Sequence, residues 1–105
     1  MRWFRLSITV PTTNQRDWPM VVSEAQERMM ETFGGYSQYE QTGGWRGKDQ
    51  DHFEPSILLY TYAQDWDQKE IVWPFMRDLA RFAKNYLNEE AVLVTIEPVQ
   101  GVHFV

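Results

Sequence analysis

The side chains best suited to chemistry lie between Tyr36 and Glu54, where Trp45-Arg46 sits among glycines in a polar stretch. Tryptophan and arginine dominate binding hot spots, the first as a large anchor and the second as a forked donor to carboxylate or phosphate. Tyr36, Tyr39 and Glu40 stand just upstream as flanking polar contacts, and His52 follows. These six residues form the expected ligand- or partner-binding set. Asp49, Asp51, His52 and Glu54 alternate as metal ligands can, but they lack the glycine, the acidic spacing and the terminal glutamate of an EF-hand loop. They read as an acidic surface, and no metal is expected. A Ser-His-Asp arrangement would need His52 or His103, and neither lies in a recognisable motif. Gly34-Gly35 and Gly43-Gly44 lack the spacing and the lysine of a phosphate-binding loop and read as turn glycines. No catalytic residue and no cofactor is assigned.

Composition narrows the function classes. A chain of 105 residues is one domain by size and buries enough surface to fold without staples. It contains no cysteine, so disulfides and thiolate zinc sites are excluded. A formal net charge of −5 argues against a nucleic-acid backbone as partner. The basic residues are scattered apart from Arg77, Arg81 and Lys84, whose spacing places them on one helical face that reads as solvated. The amino-terminal stretch does not read as a signal peptide, and no segment is apolar for long enough to span a bilayer, so a cytoplasmic protein is expected. Aromatic residues make up 15%, more than one small core encloses, so some should face outward.

The elements that must position these groups follow from periodicity. Phe4, Leu6, Ile8 and Val10 alternate with polar residues as a half-buried strand that Pro11 ends. A helix follows, started either by a capping box at Ser23 to Gln26 or by Asp17 ahead of Trp18-Pro19. Val22, Ala25, Met29 and Phe33 give it an apolar stripe, and Gly34-Gly35 stops it. Residues 36–41 predict a polar edge strand, 42–54 a long loop, and 55–63 an apolar central strand. A second helix, capped by Asp65 or Asp67, carries Ile71, Phe75, Leu79, Phe82 and Tyr86 on one stripe, with a kink at Pro74 or a start near Val72 or Trp73. Asn88 to Glu90 closes it. Residues 91–97 predict a further strand, Pro98 and Gly101 a bend, and 102–105 a short extra strand.

The order strand, helix, strand, strand, helix, strand is that of an α+β ferredoxin-like sandwich, a mostly antiparallel sheet with two helices on one face. In it the second strand is an edge and the first and third are central. Tyr60 and Tyr62 then share the sheet's other face with Trp3, either as a surface for self-association or as a minor second core.

Phe33-Gly34-Gly35, the polar strand after it and Gly44-Trp45 before a strong third strand resemble the small bacterial ferredoxin-like proteins related to PII signalling proteins. That resemblance implies subunits assembled as trimers and a mobile loop at 42–54 that contacts ligands or partner proteins; a homo-oligomer, dimer or trimer, is expected. The nucleotide-binding basic and glycine-rich motifs of PII proteins are missing, so ATP binding does not carry over. The expected function is a non-enzymatic oligomeric binding module that takes a protein or a small anionic ligand. The alternatives are a small dimeric enzyme acting on an apolar or aromatic metabolite, with His52 or His103 as acid or base, and an acidic inhibitor or immunity-type protein using Asp49, Asp51, Glu54, Asp65 and Asp67.

Overall fold

The computed structural model describes residues 3–13, 16–64 and 70–105. The chain runs β1 (Trp3–Pro11), α1 (Trp18–Phe33), β2 (Ser37–Arg46), β3 (Asp51–Gln64), α2 (Val72–Leu87) and β4 (Val94–Val99). The strands form one sheet in the order β2-β3-β1-β4, each pair antiparallel. This is the expected ferredoxin-like arrangement, with the polar β2 at an edge and the apolar β1 and β3 in the middle.

Strand alternation sends Phe4, Leu6, Ile8 and Val10 of β1 and Ile57, Leu59 and Ala63 of β3 to one face. There they join Val21, Val22, Ala25 and Met29 of α1 and Val72, Met76, Leu79, Ala83 and Leu87 of α2 in a single core. Helix α1 starts at Trp18 with Pro19 in its first turn, so the Asp17 start prevails and Ser23 lies inside the helix. Gly34, with φ at 87°, ends it in the left-handed conformation that its missing Cβ permits. Helix α2 begins at Val72, which leaves Pro74 in the first turn where no intrahelical donor is lost. Asn88 ends it in the same left-handed region. The proposed caps Asp65 and Asp67 lie outside the described residues.

Several expectations need correction. Helix α2 is rotated by about one position: its buried stripe is Val72, Met76, Leu79, Ala83 and Leu87, whereas Ile71 and Tyr86 are exposed. The smaller side chains let the helix approach the sheet. Phe75 and Phe82 flank this stripe, Phe75 edge-on to Phe33 at 4.8 Å and Phe82 under the Arg28 guanidinium at 4.7 Å. Strand β4 continues through Pro98, which an edge strand tolerates because only one side of its backbone needs to pair. Residues 101–105 form no strand. The largest correction concerns 42–54, which is not a loop. Strands β2 and β3 continue through it as a hairpin whose turn occupies only 47–50.

Candidate functional site

The hairpin forms an arm beyond the core, since the core begins in β3 only at Ile57. Fourteen residues of β3 at roughly 3.3 Å each account for most of the molecule's 47 Å long axis. Cross-strand pairs hold the arm. Trp45 stacks on His52 at 4.0 Å and 12°, Arg46 Nε donates to Asp51 Oδ1 at 3.0 Å, and Phe53 lies against Gly44. The turn closes with the Gly47 amide donating to the Gln50 carbonyl at 2.9 Å. A side chain at Gly47 would put its Cβ 2.8 Å from His52 Nε2 and 2.9 Å from the Gln50 carbonyl, so the arm requires glycine there.

Of the six expected site residues, Trp45, Arg46 and His52 share the tip of the arm, Trp45 and His52 stacked on one face and Arg46 with Asp51 on the other. Trp45 remains 57% exposed and does not fold back onto the core. Arg46 already holds a carboxylate, which leaves it less available to an incoming anion than a lone arginine. Strand alternation places Asp51 on one face of β3 and His52 and Glu54 on the other, so the acidic cluster does not converge. Among the described residues no three His, Asp or Glu side chains could share a metal. Glu40 is on the helix-side face of β2. It lines a hollow of about 550 Å³ with Trp18, Thr42 and Pro55. Tyr39 is on the opposite face, with its ring 6.1 Å from that of Tyr60.

Tyr36 belongs to a different place. Strand β3 outruns β2, whose pairing begins only at Ser37 opposite Tyr60. In the notch this leaves, the chain leaving α1 meets the free edge of β3, pinned by Thr61 Oγ1 donating to the Gly35 carbonyl at 2.7 Å. The result is a cleft of about 310 Å³ whose lining includes Phe33, Tyr36, Tyr60, Tyr62 and Phe104 beside the Gly34-Gly35 backbone. Tyr60 and Tyr62 stand edge to face, 6.0 Å apart, and the Arg5 guanidinium lies 4.2 Å over the Tyr60 ring. Phe104 is brought in by the carboxy-terminal segment, where it also meets Trp3 at 6.1 Å. The open face of the sheet continues from the cleft through Ser7 and Thr95, whose hydroxyls hydrogen-bond each other, and Thr95 donates to Glu97 at 3.4 Å.

Tyr60 and Tyr62 lie on the open face, as their alternation predicts, and Phe33 and Phe104 join them in the cleft lining. Phe33 lies on the core stripe of α1 and Phe104 in a segment expected to be a strand, so neither carried a local signal for a cleft. Among the described residues no helix is long and apolar enough to cross a membrane.

No family model and no curated protein matches the chain. Solved structures do. A phage SAM lyase in complex with S-methyl-5'-thioadenosine superposes with a TM-score of 0.65 at 16% identity, covering 94% of this chain and 90% of that one. A phage SAM lyase in its apo state gives 0.64 at 15% identity, over 99% and 94% of the two chains. The B. subtilis GlnK-ATP complex gives 0.51 at 9% identity, over 93% and 82%. At these identities the likeness is one of fold, and it is consistent with the expected weak resemblance to PII-type architecture.

Proposed function

We propose that this chain is a self-associating domain that binds an adenosine-type small molecule lacking a phosphate chain in the cleft of Phe33, Tyr36, Tyr60, Tyr62 and Phe104. The observation that carries this reading is the cleft itself. Five aromatic rings around about 310 Å³ offer faces and edges to a flat heterocycle, and tyrosine hydroxyls offer it hydrogen bonds. Among the described residues no lysine or arginine lines the cleft, and Arg5 is stacked on the Tyr60 ring, so its wall is poorly suited to a triphosphate. Two neighbours of this fold are complexes with adenosine compounds, and S-methyl-5'-thioadenosine suits this wall better than ATP does. Tyr39, Tyr60 and Tyr62 on a sheet face without helices favour pairing with a second copy. That the arm at 42–54, with Trp45, Arg46 and His52 at its tip, projects beyond the core supports a role for it in contacting that copy or a protein partner.

A second reading makes the cleft catalytic. Its support is that Tyr60 and Tyr62 line it, with Arg5 stacked on Tyr60.

Calorimetric titration with S-methyl-5'-thioadenosine and with ATP tests the first reading, alongside native mass spectrometry for subunit number. Saturable binding of the thioadenosine that Tyr36→Ala weakens at least tenfold, about 1.4 kcal/mol, supports it. Absence of binding by either compound, or binding that Tyr36→Ala leaves intact, sinks the cleft assignment, and a bare monomer sinks self-association. Incubation with SAM, followed by a search for released S-methyl-5'-thioadenosine, tests the catalytic reading.

A further inference from the structure

We infer that the groove between α2 and the start of β4 is a second ligand site, one that takes a small phosphate-bearing aromatic anion. The groove lies at the β4 edge of the sheet, opposite the β2 edge that borders the aromatic cleft, so it is independent of the function proposed above. Trp73, Arg77, Arg81 and Lys84 line one wall, about one helical turn apart, and Glu90 and Val92 lie on the other, enclosing about 300 Å³.

The basic face of α2 therefore does not simply point into solvent. It borders a hollow with an apolar floor and an indole at one end. Three basic side chains against the one carboxylate of Glu90 leave an excess of positive charge around it, which favours an anion. Elsewhere Arg16, Arg28 and Arg46 each lie within 4 Å of a carboxylate, in a chain of 15 acidic and 10 basic residues. In the groove Arg77 meets Asp78 at 3.7 Å, while Arg81 and Lys84 have no carboxylate within ion-pairing distance among the described residues. Like charges three and four residues apart repel along a helix, and a bound anion relieves that repulsion. The Arg81 fork and the Lys84 ammonium, with Arg77 shared with Asp78, match the several oxygens of a phosphate better than the two of a carboxylate. Trp73, half-exposed one turn before Arg77, offers a stacking face for an attached ring. The size of the groove suits one small molecule, not a nucleic-acid backbone.

The test uses the full chain with inorganic pyrophosphate and with phenyl phosphate, titrated calorimetrically at low salt. Both should bind saturably with dissociation constants on the order of 1 mM or tighter. The double variant Arg81→Gln/Lys84→Gln should weaken both at least tenfold, and Arg81→Lys should recover part of the loss. Trp73→Ala should weaken phenyl phosphate and leave pyrophosphate unchanged. All these side chains are exposed, so the variants keep the fold, and thermal midpoints check this. No saturable binding at about 5 mM, or binding that the double variant leaves intact, overturns the site. Undiminished phenyl phosphate affinity in Trp73→Ala overturns the assignment of an aromatic ligand.

Discussion

Gly47→Ala should open the arm without unfolding the protein. The added Cβ meets two atoms at under 3.0 Å, one at the far end of the His52 ring and one a backbone carbonyl, that of Gln50. The ring can swing away, at the expense of its stack on Trp45. The carbonyl can move only by loosening the 2.9 Å hydrogen bond that closes the turn. Overpacking of this kind costs about 1–3 kcal/mol, and with about 1.4 kcal/mol per decade the equilibrium for opening the arm rises roughly 5- to 150-fold. The cost stays local because no residue between Ser37 and Ser56 belongs to the hydrophobic core. Hydrogen exchange resolved by residue is the assay. Amides bonded across 42–46 and 51–54 should exchange faster by that factor, while those of β1 and of β3 beyond Ile57 keep their protection and the thermal midpoint stays nearly fixed. Unchanged exchange in the arm would refute the steric argument. A fall in core protection matching that of the arm would refute its independence.

Other perturbations separate arm, caps and core. Trp45→Ala should leave the thermal midpoint almost unchanged, because the ring is mostly exposed and its contact is with His52 on the arm; a loss of several degrees would mean that it supports the core. Leu59→Ala, fully buried in the central strand, should cost about 2–5 kcal/mol in a urea titration with an unchanged m-value. Gly34→Ala should cost about 1–2 kcal/mol although nothing lies within 4 Å of the new Cβ, because its φ of 87° is unfavourable for alanine; Gly34→Asn should recover part of this. Breaking the exposed Arg46 to Asp51 pair by Asp51→Asn should change global stability by less than about 1 kcal/mol, read from the same denaturation curves.

The element order and the core of the sheet were legible in the sequence because each rests on a local, repeating signal. Phe4, Leu6, Ile8 and Val10 announce a one-sided strand by alternation, Gly34-Gly35 and Asn88 mark helix ends by the backbone they allow, and the polarity of β2 against β3 assigns edge and centre. Tertiary structure decided the rest. Residues 42–54 look like a loop because Gly43, Gly44 and the charges have low strand propensity. They become strand because Trp45 meets His52, Arg46 meets Asp51 and Phe53 covers Gly44, pairings that exist only once the register is set. In α2 the large aromatics dominate the sequence pattern, whereas the sheet admits the smaller Val72, Met76 and Ala83, about one position away. The aromatic cleft draws Phe33, Tyr36, the Tyr60-Tyr62 pair and Phe104 from separate segments. Periodicity records which face a residue takes within its own element; which residues meet across elements depends on where β3 outruns β2 and where the terminal segment returns, and only the folded chain determines that.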